Sequence, residues 1–200
     1  MVQQNLNHFE NFKNRNNNVN SFLVSPPKYL NLNESIELYT YKKLNKDQRI
    51  SFHDFMPSDP DLSLNNRRTS NAVGFQEPRG KSSSLFLATP EKVVGYVTIQ
   101  IHGVVQFGHD IPKVDRDAVG LSNTDSLGVI KCLGVDKKYE RNDCGTTLFA
   151  LAVESIISVE SPQINYIAWD ALDSSKSFYT DKLGFKPFQL GKYNFVLKLS

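Results

Sequence analysis

Residues 129–149 contain the arrangement in this chain that is best suited to hold a charged ligand. The apolar, β-branched run Val129–Val135 is typical of a buried strand, and the charged run Asp136–Asp143 predicts an exposed loop. Gly145-Thr146-Thr147 then begins a pattern of apolar residues at helical spacing, namely Leu148, Ala152, Ile156 and Val159. A turn of small residues at a helix start leaves backbone N–H groups at the positive end of the helix dipole, which suits a phosphate or pyrophosphate. An ordinary strand-to-helix turn that binds nothing gives the same pattern, so both interpretations stay open at this point.

The two cysteines, Cys132 and Cys144, define neither a disulfide framework nor a zinc site, and no metal is expected. Cys144 lies at the predicted helix start, a position that lowers the pKa of a thiol. No order of His and Asp in the chain supports a catalytic triad around it, and Cys132 fits the packing of a buried strand. This use of cysteine suits a reducing cytoplasm.

Length and composition predict one ordinary globular domain with an extension. The 200 residues are 40% hydrophobic, and the net charge of +2 neither requires nor excludes a nucleic-acid partner. Residues 1–33 are rich in asparagine and predict a flexible extension, whereas residues 34–200 predict a single domain. The chain has no apolar run long enough to span a membrane, and its first residues lack the apolar segment of a signal peptide.

The elements around the candidate turn predict a mixed α/β (α+β) sheet. Periodicity predicts strands at Ile36–Leu44, Ser84–Ala88, Val93–Ile101, Ile164–Ala168, Lys186–Gln189 and Asn194–Leu199. Short helices are expected within residues 45–71, one of them near Ser58, and a further helix is expected at Ser174–Leu183 with Gly184 as its left-handed end. Residues Gly103–Ser126 predict an irregular insertion.

Three stretches together resemble the GNAT superfamily of N-acetyltransferases, and within it the subgroup that contains the tRNA-acetylating toxins. The matching pieces are VVGYVTI at Val93–Ile99, LGVDKKYERNDCGTTLF at Leu133–Phe149 and IAWDALDSSKSFYTDKLGF at Ile167–Phe185. The resemblance covers roughly Ile36 to Ser200. It implies a mixed central sheet of about six to seven strands with helices on both faces, in which two adjacent central strands splay apart.

The resemblance implies an enzyme that transfers an acetyl group directly from acetyl-CoA to a primary amine. The pantetheine arm of the coenzyme would pair with the backbone of Leu133, Gly134 and Val135. The pyrophosphate would bind the backbone of the turn, at Arg141, Asn142, Asp143, Cys144, Gly145 and Thr146, while Lys137 and Lys138 add positive charge. Tyr179 would be the catalytic residue that gives a proton to the departing thiolate, as a phenol can at neutral pH.

The turn departs from the pattern of the superfamily at two positions. Where the pattern has Gln or Arg, two residues, Gly, one residue, then Gly or Ala, this chain has Glu140 in the first place and Asp143 in the place of the first Gly. Asp tolerates a left-handed backbone better than most residues, so the turn can be kept. The two carboxylates repel a pyrophosphate, which leaves a GNAT-fold binding protein without catalysis as an alternative.

The acceptor of the acetyl group stays open. It is a small amine, a peptide or protein N-terminus, or the α-amine of an aminoacyl-tRNA, the last of which requires a basic face. Arg67, Arg68, Arg79 and Lys81 are candidates for that face, and Asp170, His102 and His109 for the general base, although a structural or solvated role fits each of them as well. A second copy of the chain and an antitoxin are the protein partners that the resemblance suggests, with a cytoplasmic location.

Overall fold

The computed structural model describes residues 36–55, 57, 83–103, 111–122, 124–159 and 164–199. The predicted extension at residues 1–33, the predicted helix near Ser58 and the four basic candidates Arg67, Arg68, Arg79 and Lys81 lie outside these residues, as does His109. The chain divides into two compact units. The first unit contains the described part of residues 36–99 together with 132–152, and the second contains the described part of 100–131 and 153–199.

Six strands form one mixed sheet in chain order, β1-β2-β3-β4-β5-β6. The strands are β1 (Glu37–Thr40), β2 (Ser83–Ala88), β3 (Val93–Gly103), β4 (Ser126–Val135), β5 (Ile164–Trp169) and β6 (Phe195–Lys198). The α-helices are α1 (Lys46–His53), α2 (Lys113–Val119) and α3 (Cys144–Ile157). A π-helix covers Phe178–Lys182, and single 3₁₀ turns cover Tyr41–Lys43, Lys137–Tyr139 and Asp173–Ser175. β4 and β5 are parallel. The antiparallel pairs are β1 with β2, β2 with the Val93–Ile99 part of β3, and β5 with β6.

The first unit is built around a cluster of aromatic rings. Phe52 of α1 contacts Phe86 of β2 and Tyr96 of β3 edge to face, at ring-centroid distances of 5.2 and 4.9 Å. α1 starts in a capping box, since Asn45 and Gln48 bond each other's backbone N–H. The buried Gln48 amide also donates to the carbonyl of Thr89 at 2.7 Å, so the helix is tied to the turn between β2 and β3. These bonds fix α1 against β2 and β3.

The second unit packs its core on the parallel pair and on β6. The buried residues of this cluster are Ile111, Leu121, Leu127, Val129, Tyr166, Ala168, Leu190, Tyr193 and Val196. Gly128 of β4 leaves room for Ile156, because a Cβ at Gly128 would lie 2.4 Å from Cγ2 of that side chain. β4 therefore accepts the second half of α3 at a distance that only glycine allows.

The predicted first strand, Ile36–Leu44, is too long. β1 ends at Thr40, and the next three residues form a 3₁₀ turn closed by Leu44 N–H to the carbonyl of Tyr41 at 3.3 Å. The guanidinium of Arg49 donates to the carbonyls of Tyr41 and Lys42 and lies 5.1 Å above the Tyr41 ring. Bonds to a side chain on α1 thus replace the sheet ladder after Thr40.

Residues Gly103–Ser126 were expected to be irregular, which is wrong for Lys113–Val119. Pro112 precedes the helix α2, and Gly120 ends it with φ 73°. The N–H of Gly120 bonds the carbonyls of Arg116 and Asp117, and Leu121 N–H bonds Arg116 at 2.9 Å. The Pro and Gly that indicated a loop are the two ends of a short helix.

Two predicted elements near the C-terminal end also differ. The helix expected at Ser174–Leu183 is a 3₁₀ turn followed by the π-helix, whose wide ring is closed by Leu183 N–H to Phe178 carbonyl at 3.1 Å. The strand expected at Lys186–Gln189 is reduced to a bond from Phe188 N–H to Asn194 carbonyl and a bridge between Leu190 and Tyr193. Pro187 lacks the N–H that a strand ladder needs.

Candidate active site

β4 is longer than its parallel partner. The register of β4 with β5 runs from Ser126↔Ile164 to Ile130↔Trp169, and β5 ends there, whereas β4 continues through Val135. Burial changes at the same point, because Ser126–Ile130 are all buried while Lys131 is exposed and three of the four following residues are only half-buried. Within the part of the chain that the structure describes, β5 pairs with no residue of Lys131–Val135. Backbone N–H and C=O groups along such an edge are available to an extended ligand.

The outer end of β4 is held in place by residues of its own unit. A Cβ on Gly134 would lie 3.0 Å from Cε1 of Tyr96 and 3.2 Å from Cε1 of Phe55, so the strand passes close over the aromatic cluster. A Cβ on Gly95 would lie 2.9 Å from Cδ1 of Leu148 and 3.1 Å from the carbonyl oxygen of Gly134. Asp136 N–H donates to the carbonyl of Val94 at 2.8 Å. The strand end is therefore rigidly positioned from the β3 side.

The loop after β4 is anchored by one buried tyrosine. Tyr139 is 5% exposed, and the ammonium of Lys92 lies 4.6 Å from the centre of its ring. The carboxylate of Asp136 accepts from Lys138 N–H at 3.0 Å and closes the first turn of the loop. Lys137 and Lys138 are exposed, so their charges are available to an anion near the loop.

Two residues of the loop have a left-handed backbone. Arg141 has φ 65° and Asp143 has φ 59°, and among the described residues they are the only ones other than glycine with positive φ. The left-handed backbone expected at Asp143 is therefore present. The left-handed backbone of Arg141 was not predicted from the sequence. This conformation costs a residue with a side chain about 1–2 kcal/mol. Strain of this kind persists where the surrounding structure enforces it, and it concentrates at ligand-binding turns.

α3 begins directly after Asp143. Its first intrahelical bond runs from Thr147 N–H to the carbonyl of Asp143 at 2.9 Å. The N–H groups of Cys144, Gly145 and Thr146 lie before that bond and have no partner four residues back in the helix. The hydroxyl oxygen of Thr146 is buried and has no hydrogen-bond partner among the described residues. The start of the helix thus presents donors to an anion.

The expectation of a lowered thiol pKa at Cys144 is wrong. The residue is 1% exposed, and burial, followed by the negative charge of Asp143, raises the pKa of the thiol to about 11. Burial outweighs the field of the helix start. Cys144 therefore stays protonated at neutral pH, and it can contribute to ligand binding through its backbone.

Tyr179 is buried in the π-helix among aromatic rings of the second unit. It is 6% exposed, and its ring centre lies 5.6 Å from that of Trp169, 5.3 Å from that of Phe195 and 5.0 Å from that of Phe178. Its carbonyl accepts from Phe185 N–H at 2.9 Å, and the predicted left-handed Gly184 lies between them with φ 76°. These three ring contacts and the backbone hydrogen bond hold the tyrosine in place.

The two described candidates for a general base occupy different surroundings. Asp170 follows β5 directly, and burial raises the pKa of its carboxyl group while Lys176 and Lys192 lower it. The ring nitrogen Nε2 of His102 lies 2.9 Å from Oε1 of Gln100. Neither arrangement singles out a base.

The structure separates the predicted site residues into two groups. Leu133, Gly134, Val135 and Arg141–Thr146 all belong to the first unit, whereas Tyr179 belongs to the second. The described residues include no group of three or more His, Cys, Asp or Glu side chains placed to hold a metal ion. Within the same residues, none of the helices has the length and apolar character that crossing a bilayer requires.

Solved structures with the same fold include several complexes of a toxin. A variant of the toxin AtaT bound to the C-terminus of the antitoxin AtaR superposes with a TM-score of 0.60 at 16% identity, covering 82% of this chain and 92% of that one. AtaT complexed with acetyl-methionyl-tRNAfMet gives 0.59 at 17% identity, with 82% and 94% covered. The AtaT–AtaR complex bound with acetyl-CoA gives 0.58 at 16% identity, with 84% and 94% covered.

No family model matches the chain, and no curated protein matches it in sequence. At these identities the likeness is one of fold. The mixed six-stranded sheet is the fold that this chain shares with these toxin structures, and the predicted mixed α/β (α+β) sheet is confirmed.

Proposed function

We propose that this chain is an acetyl-CoA-dependent N-acetyltransferase that transfers the acetyl group directly to a primary amine. The observation that carries the proposal is the edge of β4 at Lys131–Val135, which extends beyond β5 and leads into a left-handed loop and the start of α3. A thioester bound there supplies the acetyl group. The fold likeness to AtaT, a toxin solved with acetyl-CoA, supports the same activity.

The groups that the first unit offers fit both parts of the coenzyme. Pantetheine carries two amides, which pair with an extended backbone as a strand does, and Leu133, Gly134 and Val135 provide such a backbone. The pyrophosphate requires N–H donors, which the turn Arg141–Thr146 provides at the start of α3, and positive charge, which the helix dipole and the exposed Lys137 and Lys138 add. The buried hydroxyl of Thr146 is a further donor that lacks a protein partner among the described residues.

We assign the proton-donor role to Tyr179 on the strength of the resemblance in sequence. A phenol is protonated at neutral pH and can donate that proton to a departing thiolate. The rings of Trp169, Phe195 and Phe178 hold the phenol in one orientation. Such fixed positioning is what proton transfer to a reacting atom requires.

The α-amine of an aminoacyl-tRNA is the second, more specific candidate for the acceptor. It is favoured by the likeness to AtaT, which has been solved with acetyl-methionyl-tRNAfMet. On this reading, a partner antitoxin in the cytoplasm would bind the chain, as AtaR binds AtaT. The alternative of a small amine or a peptide N-terminus places no demand on a basic surface.

The proposal is tested by calorimetry with acetyl-CoA, followed by transfer of a labelled acetyl group to a panel of acceptors. Binding in the micromolar range and transfer to at least one amine are the expected results. Transfer to charged tRNA but not to free amino acids would select the toxin-like reaction, and growth arrest on expression would accompany it. Absence of binding at millimolar acetyl-CoA would leave only a GNAT-fold binding protein without catalysis.

A further inference from the structure

Asp143 combines a backbone suited to a pyrophosphate with a side chain that opposes one. Its φ of 59° is the conformation that glycine adopts most easily, and its carbonyl accepts the first helical bond of α3. The residue is exposed, and its negative charge reaches the helix start strongly enough to raise the pKa of the Cys144 thiol. The turn is therefore kept while a carboxylate is added to it.

We infer that Asp143 sets the affinity of this chain for its acyl-CoA cosubstrate by lowering it, an inference that rests on the proposed function. A carboxylate beside a doubly charged pyrophosphate repels it, and the repulsion falls with distance and with added salt. Thioesters of pantetheine that lack the pyrophosphate do not experience this repulsion. Asp143 thus determines specificity through the nucleotide half of the cosubstrate and leaves the pantetheine half unaffected.

The conformation at Asp143 separates two causes of weak binding. Asn has nearly the same shape and also tolerates a left-handed backbone, so Asp143→Asn removes the charge and keeps the turn. Gly removes the charge and the strain together. If charge is the cause, both variants gain affinity to a similar extent. Strain acts on folding, and its relief in Asp143→Gly adds stability that Asp143→Asn does not show.

The experiment measures dissociation constants by calorimetry for the unmodified chain, Asp143→Asn, Asp143→Gly and Asp117→Asn. Asp117 is an exposed carboxylate on α2, so its variant has the same net charge as Asp143→Asn. The probes are acetyl-CoA and acetyl-pantetheine, each at low and at high ionic strength. We expect both Asp143 variants to bind acetyl-CoA roughly tenfold more tightly at low ionic strength, with a smaller gain at high ionic strength.

Acetyl-pantetheine should bind all four proteins equally, and Asp117→Asn should behave as the unmodified chain. Equal affinity for acetyl-CoA with and without Asp143, or weaker binding by Asp143→Asn, would overturn the inference while leaving the proposed function standing. Absence of binding by every protein to both probes would overturn the proposed function and the inference with it. A tenfold gain that Asp117→Asn reproduces would show that net charge, and not this residue, controls affinity.

Discussion

The indole ring of Trp169 lies 5.6 Å from the phenol ring of Tyr179, measured between ring centres. Trp169 is the last residue of β5 and is 1% exposed, and it stacks on Phe195 with an angle of 2° between the rings. The residue at which β5 ends is therefore also the residue that supports the proposed proton donor. The same aromatic cluster thus contains the end of β5 and the proposed proton donor.

Replacing Tyr179 by Phe should reduce turnover by about 100-fold or more, because the proposed proton donor is lost while the ring and its three aromatic contacts remain. The dissociation constant of acetyl-CoA should stay unchanged. Steady-state kinetics and calorimetry on the same preparation provide the measurement. Tyr166→Phe is the matched control, since its buried hydroxyl donates to the carbonyl of Val119 at 2.8 Å and has no role in transfer. Unaltered turnover in Tyr179→Phe would remove this tyrosine from the mechanism.

Replacing Thr146 by Val should weaken acetyl-CoA binding by about fivefold to tenfold, since a donor to the ligand is lost. The same change should raise the free energy of unfolding of the ligand-free protein by about 1 kcal/mol, because a buried hydroxyl without a partner is removed. Denaturant unfolding and calorimetry measure the two effects. Thr147→Val, at the next position of the same helix, should leave binding unchanged. A loss of stability in Thr146→Val would show that the hydroxyl is satisfied within the protein.

Replacing Gly134 by Ala should destabilise the protein by about 1–3 kcal/mol, because the added methyl group would meet Tyr96 at 3.0 Å and Phe55 at 3.2 Å. Acetyl-CoA affinity should also fall, because the displaced strand carries the backbone groups that we propose pair with the pantetheine arm. Gly120→Ala is the control: it has open space around the added carbon but a φ of 73°, so it loses stability through strain alone. Equal affinity for acetyl-CoA in Gly134→Ala and Gly120→Ala would contradict the placement of the arm at Gly134.

Stability should decline between about pH 9 and pH 11 through Cys144. The pKa of its thiol is raised to about 11 in the folded protein, above the value of 9.0 for an unperturbed thiol. In this window the unfolded chain loses the proton while the folded chain retains it, so rising pH favours unfolding. The contribution is fully present below pH 9. Denaturant unfolding at several pH values measures it, and the decline should be smaller in Cys144→Ala, which lacks this thiol.

Local sequence signals were sufficient to predict turns and helix ends, which depend on residues that are close together in the chain. The β2–β3 hairpin follows from the turn Thr89–Lys92, in which Thr89 N–H bonds the carbonyl of Lys92 at 2.9 Å. The start of α3 was predicted within one residue, because the apolar spacing and the small residues that begin at Gly145 both indicate a helix start there. The end of the π-helix at Gly184 was foreseen from the same kind of signal.

The features that sequence could not provide depend on partners far along the chain. The pKa of Cys144 follows from its burial, which the position at a helix start does not reveal. The parallel pairing of β4 ends at Ile130 because β5 ends at its partner Trp169, which is far from Ile130 in the sequence. Arg141 has no propensity for φ 65°, so only the folded loop explains it. Candidate residues for the site could therefore be predicted from the sequence, but the geometry of the strand edge and of the turn could not.

We propose that acetyl-CoA lies along the outer end of β4 and against the start of α3. Amide hydrogen exchange of the chain with and without saturating acetyl-CoA tests it most directly. We expect slower exchange at Leu133–Val135 and at Arg141–Thr146, with the β1–β2 pair unchanged. Binding of acetyl-CoA with exchange at these two segments unaltered would contradict it.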